Sequence, residues 1–245
     1  MTFNTYELLT VKERLAPNPY PGRGIILGKT PDGKHAVFAY FIMGRSENSR
    51  NRIFTESPDG SIRTEPYDAS KVKDPSLIIY APVRPVGNHV VVTNGDQTDT
   101  IVEGMEKGLS FSEALTAREF EPDAPNLTPR ISGILNFNDA ALTYDMSILK
   151  SADAEGSACN RFTYSYASLP GVGHFIHTYM CDGNPLPTFS GEPERTVIPN
   201  DIDEFANEIW NSLNEENKIS LAVRFYDIAD GGKTVTSRLF NKYTK

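Results

Sequence analysis

Three short segments constrain this chain more than any other feature: Thr30-Pro31-Asp32-Gly33, Ser57-Pro58-Asp59-Gly60 and Asp230-Gly231-Gly232. Each contains an Asp-Gly pair and lies between two strand patterns. Glycine accepts the backbone angles of a tight reversal and aspartate closes it through its side chain, so such segments join antiparallel strands. The flanking pairs are Gly24–Gly28 with Ala36–Met43, Arg52–Glu56 with Ile62–Tyr67, and Ile219–Asp227 with Thr234–Phe240. Further strands are expected at Leu77–Tyr80 and Val83–Val86, with Pro82 marking an edge or a bulge. The β-branched run Val90-Val91-Val92-Thr93 reads as a short buried strand. Arg130–Phe137 and Ala141–Leu149, joined near Asn138-Asp139, then Phe162–Ala167 and His174–Met180, complete the set.

Helical patterns stand apart from these. Ile202, Phe205, Ala206, Ile209, Trp210 and Leu213 fall on one face of a helix that Asp201 starts. Thr98–Lys107 and Phe111–Phe120 are also helical, the first capped by Thr98 or Asp99, the second by a Ser110/Glu113 box. Leu8, Leu9, Val11 and Leu15 line one short helix in an arm over residues 1–19. Many hairpins with segregated helices give an α+β fold with antiparallel sheets. With no repeat and no linker, the 245 residues read as one domain.

A net charge of −8 excludes a general nucleic-acid binder, which needs an excess of Lys and Arg. Cys159 and Cys181 lack metal-site spacing and read as reduced thiols in a cytoplasmic protein, with a single disulfide as the alternative. The N-terminus has no signal-peptide pattern, and no apolar stretch reaches membrane-spanning length.

Against this acidic background, Gly44–Arg52 gathers three arginines, two asparagines and two serines directly behind the apolar strand Ala36–Met43. Guanidinium groups suit phosphate and carboxylate, so this strand end is a place to hold a small anion; a solvated turn is the alternative. Thr93–Thr100 is rich in donors and acceptors between a strand and a helix. Arg130 opens a strand after Thr128-Pro129, where a surface ion pair explains it as well as a site does. His174 and His177 are three apart in a strand and point to opposite faces, which disfavours a shared metal. Glu192 sits in the loop that follows and is a possible acid or base.

Taken together these stretches resemble the archaeal-type inosine monophosphate (IMP) cyclohydrolases and their bacterial relatives. The resemblance rests on Tyr20–Gly28, Ala39-Tyr40 through Arg45-Ser46 to Asn51-Arg52, Asp74-Pro75 to Tyr80, Val92–Ile101 and Thr128-Pro129-Arg130-Ile131. It covers roughly residues 20–150, and His174–Glu192 looks like a longer bacterial branch. The resemblance implies a four-layer αββα sandwich of the N-terminal-nucleophile hydrolase type, working without the N-terminal nucleophile. It implies closure of 5-formamidoimidazole-4-carboxamide ribonucleotide to IMP with loss of water, without metal or cofactor.

On that basis Tyr80, Arg45, Asp96, Asp99 and His177 are the expected catalytic residues. Arg23, Arg52, Asn51, Asn94, Thr98, Arg130 and Glu192 are the expected substrate-binding residues. Tyr80 would donate to the formyl oxygen, and the arginines would hold the phosphate and the developing charge. The partner is a small nucleotide, not nucleic acid or membrane, and a homo-oligomer is left open. Two rivals stand beside this reading: an amide hydrolase of the same fold using Thr2 or another nucleophile, and a non-catalytic purine-nucleotide binder.

Overall fold

The computed structural model describes residues 6–72, 79–138 and 141–243. The first half contains α1 (Val11–Leu15), β1 (Arg23–Lys29), β2 (His35–Met43), α2 (Glu47–Arg50), β3 (Ile53–Glu56), β4 (Ile62–Glu65), β5 (Val83–Val86) and β6 (His89–Thr93). The helices α3 (Gln97–Glu106) and α4 (Phe111–Ala114) follow, then β7 (Arg130–Asn138), β8 (Ala141–Ser151), β9 (Cys159–Ala167), β10 (Val172–His177) and β11 (Glu194–Val197). The chain closes with α5 (Ile202–Ser212), β12 (Lys218–Asp227) and β13 (Val235–Asn241). The fold is α+β with two antiparallel sheets. The first has the order β11-β10-β1-β2-β12-β13, the second β3-β4-β5-β6-β7-β8-β9.

Strand β2 reads as an unbroken apolar run because both of its faces are buried. Phe38, Tyr40 and Ile42 enter a core shared with Val92, Ile131, Leu135, Tyr144 and Met146 of the second sheet. Val37, Ala39, Phe41 and Met43 alternate to the other side and pack with Val11, Leu15, Phe205 and Ile209 of α1 and α5. On the far side of the second sheet, Val91, Ile134 and Leu149 meet Ile101, Val102, Phe111 and Leu115 of the α3–α4 region. The sheets come close where Gly133 faces β1: a Cβ there would lie 2.8 Å from a methyl group of Leu27.

The hairpins and α5 agree with the sequence reading; Asp201 caps α5 by accepting from the backbone of Asp203 and Glu204. Several elements differ. Among the described residues of the arm only Val11–Leu15 is helical, capped by Thr10, because Leu9 pairs with Thr196 as an extra bridge. The cap of α3 is Asp96, not Thr98 or Asp99, since the Thr98 hydroxyl turns inward to Thr93 and the Gly95 carbonyl. The Ser110/Glu113 box is present, but the helix it starts lasts one α-turn before tightening to 3-10 over Leu115–Ala117. Of the strand expected at Leu77–Tyr80, Leu77 and Ile78 lie outside the described residues and Ile79 and Tyr80 belong to no strand; part of the turn at Asn138-Asp139 also lies outside them. Helix α2 and strand β11 have no counterpart in the sequence reading.

Sheet pairing sets the site. In the first sheet, Arg23 at the start of β1 lies opposite Ile42 near the end of β2. In the second, Thr93 at the end of β6 lies opposite Ser132 near the start of β7. The polar segments flanking these strands therefore collect at one end of the two sheets.

Candidate active site

Helix α2 is a single turn that Ser46 and Ser49 close on each other: Ser46 Oγ accepts from the Ser49 amide, and Ser49 Oγ accepts from the Ser46 amide. The chain leaves this turn at Arg52, whose Nε donates to the Ser49 carbonyl at 2.9 Å. That bond folds the arginine inward, and it is only 2 % exposed. It lines a cavity of about 340 Å³ with Arg23, Ser46, Asn48, Ser49, Tyr80, Asn94, Gly95, Asp96, Glu121, Pro122, Asp123 and Arg130.

The two innermost arginines have unusual surroundings. Among the described residues neither Arg23 nor Arg52 forms an ion pair with a carboxylate, and Arg23 Nε is buried without a partner. Burial, and then the charge of Arg23, push the Arg52 guanidinium below its usual range. Burial opposes the charge on Arg23 too, but Glu121 and the phenols of Tyr179, Tyr80 and Tyr20 outweigh it and hold that group up. Tyr80 lies beside them, its hydroxyl 3.1 Å from that of Tyr40. Burial and the neighbouring Tyr80 keep Tyr40 well above the ordinary phenol range, so Tyr40 presents a proton, not a phenolate.

Arg130 is in a different state. Its Nη1 donates to Asp96 at 2.7 Å and to Gln97 Oε1 at 2.8 Å, and Arg118 also pairs with Asp96. Burial resists ionisation of Asp96, but Arg118 and Arg130 win and hold its carboxyl below the usual range. Asn94 organises this corner: its oxygen accepts from the Ile131 amide and from Gln97, and its nitrogen donates to the Pro129 carbonyl.

Glu121, Pro122 and Asp123, in the loop of residues 121–128, form the remaining wall, and the sequence reading passes over its carboxylates. Glu121 is half-buried, and among the described residues its carboxylate takes part in no ion pair and no side-chain hydrogen bond. Asp123 accepts from the amide and the hydroxyl of Thr128. The available signal was two carboxylates flanking Pro122 shortly before a strand that begins with arginine. Leu127 in this loop has a φ of 45°, a left-handed conformation that a leucine adopts only when its surroundings impose it.

Six expected residues lie elsewhere. Arg45 turns outward to Asp182 at 2.6 Å and covers the Tyr20 ring. Asp99 pairs with Arg84 at 2.7 Å. Asn51 spends both ends of its amide on the backbone of Asp68. Thr98 is enclosed against Thr93. Glu192 is exposed, near Tyr164 and Tyr166. His177 donates from Nδ1 to the Tyr179 carbonyl at 2.8 Å and stacks on Phe175. His174 sits on the opposite face of β10 against Tyr144, so the two histidines do not meet.

A larger cleft, about 770 Å³, lies at the other end of the sheets, but its arginine, Arg224, is already paired with Glu56 and the Gly60 carbonyl.

His174 gives a stability prediction. Burial, with Arg195 adding to it, lowers its pKa to about 4 from 6.5. The unfolded chain therefore takes up a proton there as pH falls through 6.5, while the folded chain resists until about 4. Stability is expected to fall across that window by up to roughly 3 kcal/mol, then level off. Urea denaturation at pH 7 and pH 4.5 measures the loss. His174 is not its source if His174→Gln loses as much.

Comparison with known proteins places this geometry in context. A family model described as "IMP cyclohydrolase-like protein" matches residues 20–232, a span that contains every residue lining the cavity. The IMP cyclohydrolase of Methanococcus aeolicus is 34% identical over 167 residues, covering 66% of this chain and 75% of that protein. The IMP cyclohydrolase of Methanopyrus kandleri is 35% identical over 184 residues, covering 69% and 89%. That of Methanocaldococcus jannaschii is 26% identical over 226 residues, covering 89% and 98%.

Proposed function

The chain belongs to the IMP cyclohydrolase-like family, and from that premise we propose that it is an IMP cyclohydrolase. It closes 5-formamidoimidazole-4-carboxamide ribonucleotide to IMP with loss of one water. The observation that carries the reading is the end of the cavity where Arg23 and Arg52 lack carboxylate ion pairs among the described residues, beside the carboxylate of Glu121 and the hydroxyl of Tyr80.

The reaction needs few groups. Carboxamide nitrogen and formyl carbon belong to one molecule, so holding them in contact supplies much of the acceleration. As the C–N bond forms, the formyl oxygen gains charge, which a desolvated guanidinium and a phenol stabilise better than water does. We assign that task to Arg52 and Tyr80, because Arg52 is the most deeply buried charge of the cavity. Glu121 takes the proton from the attacking nitrogen and returns one to the hydroxyl, which leaves as water. The ring C–N bond forms and the formyl carbon loses its oxygen, which departs with two protons: one from the carboxamide nitrogen through Glu121, the other from the formamide nitrogen, which becomes doubly bonded to that carbon.

The monophosphate is drawn by Arg23 and Arg130, which begin strands on the two facing sheets. Ser46, Asn48 and Ser49 line the space left for ribose. Asn94 and Asp96 act as supports, the first for the β6–α3 corner and the second for Arg130. Arg45, Asn51, Thr98, Asp99, His177 and Glu192 have no part in this assignment, since the cavity does not include them.

The layered arrangement supports reading the fold as the four-layer αββα sandwich of the N-terminal-nucleophile type, used here without its nucleophile, and the chain as one domain. The amide-hydrolase alternative named Thr2, which lies outside the described residues, or another nucleophile. No helix among the described residues is long and apolar enough to cross a membrane; a cytoplasmic location is part of the proposal.

Purified protein supplied with the formylated nucleotide is expected to generate IMP absorbance well above the uncatalysed rate. No turnover at any pH between about 6 and 9, with IMP still raising the melting temperature, would leave a nucleotide-binding protein in place of an enzyme.

A further inference from the structure

Thr128 is 1 % exposed and Tyr179 is 2 % exposed, and their hydroxyl oxygens are 2.6 Å apart. Thr128 Oγ1 donates to Asp123 Oδ2 at 2.5 Å. A threonine hydroxyl has one proton, so with that proton committed it accepts from Tyr179. The direction of the chain is thereby fixed: Tyr179 to Thr128 to Asp123. Burial pushes the Tyr179 phenol up to about 12, which keeps the donor protonated.

Thr128 holds the acidic loop through its backbone as well. Its amide donates to Asp123 at 2.7 Å, and its carbonyl accepts from the Glu121 amide at 2.8 Å. Every polar group of this one residue is used to close residues 121–128 on themselves. Tyr179 then fastens the closed loop to the first sheet, just beyond β10, with a second tie where the Leu186 amide donates to Asn126. The Tyr179 ring is itself stacked on Tyr20 at 6.0 Å between centroids.

We infer that Tyr179 and Thr128 are positioning residues, whose hydroxyl chain sets the loop that carries Glu121 over the reacting atoms. Neither lines the cavity, so neither is expected to touch substrate. The inference rests on Glu121 acting as the base. Misplacing a catalytic group by about an ångström costs on the order of a hundredfold in rate. Removing either hydroxyl loosens the loop, and among the described residues neither hydroxyl is hydrogen-bonded to Arg23, Arg52 or Arg130.

The test uses Tyr179→Phe, which keeps the stacked ring, and Thr128→Val, which keeps the shape, with Thr128→Ser as the conservative rescue. Expected is a kcat lower by about ten- to a hundredfold in Tyr179→Phe and in Thr128→Val, with IMP binding unchanged within about threefold and near-normal rates for Thr128→Ser. Hydrogen exchange at the Glu121 amide should also quicken, by about tenfold, in Tyr179→Phe and Thr128→Val. Unchanged exchange, or IMP affinity falling in step with kcat, overturns the inference. The exchange readout does not need turnover, so an inactive wild-type protein would refute the enzyme reading while exchange still decides how the loop is held.

Discussion

Glu121→Gln is expected to lower kcat by a factor on the order of 10²–10⁴, the range a positioned proton-transfer group supplies. The substitution is nearly isosteric and half-buried, and the Glu121 carboxylate makes no side-chain hydrogen bond among the described residues, so folding should tolerate it. Its effect on binding runs the other way. Glu121 is the carboxylate that offsets Arg23, and its removal leaves the cavity more positive. Affinity for IMP, a dianion, is therefore expected to stay level or tighten while turnover collapses. A loss in kcat without a loss in product binding identifies an interaction made in the transition state. Asp182→Asn is the companion measurement. It breaks the exposed pair with Arg45 outside the cavity and should leave rates near wild type. Steady-state kinetics of both, with calorimetric IMP titration, decides the matter: Glu121→Gln retaining a tenth or more of the wild-type rate means another group takes the proton.

The fold was legible where local chemistry and tertiary packing ask for the same residues. The turn Thr30-Pro31-Asp32-Gly33 forms the reversal its sequence specifies, with the Gly33 amide on the Thr30 carbonyl. The α5 stripe is apolar because Phe205, Ala206 and Ile209 fill the core outside the first sheet. Helix α4 was overextended because the residues beyond its box favour helix but have little to pack on: Thr116 and Glu119 are not buried. Strand β11 escaped notice because four residues with one buried position carry almost no period.

The site divides along the same line. Arg23, Arg52, Asn94, Asp96 and Arg130 reach the cavity because they sit at or beside strand ends, and strand order brings those ends together. Arg45 and Arg52 belong to the same nine-residue cluster yet face different ways. The turn of α2 rotates the chain between them, and the Ser49 carbonyl captures Arg52 while Asp182 captures Arg45. Composition does not encode that choice; for Arg45 it is made by a partner distant in sequence. Glu121 was missed for a related reason. Its importance comes from its surroundings in the folded chain, not from the residues beside it in the sequence.

Arg52→Met is expected to separate activity from stability. Arg52 is nearly excluded from solvent, donates to the Ser49 carbonyl, has no carboxylate ion pair among the described residues, and faces Arg23. A buried guanidinium in that position is costly to the folded protein, and the downward displacement of its pKa expresses the cost. Methionine fills similar length, adapts to irregular space and carries no charge. The melting temperature is therefore expected to hold or to rise by about 2–4 °C. The same change removes the charge opposite the developing oxyanion, and kcat is expected to fall on the order of 10²–10³. Arg52→Lys keeps the charge but loses the planar fork, so its loss should be intermediate. A variant that is both less stable and fully active would make Arg52 a structural residue and move the oxyanion site toward Arg23. Stability gained as activity is lost is the signature of a charge retained for the reaction at the expense of the fold.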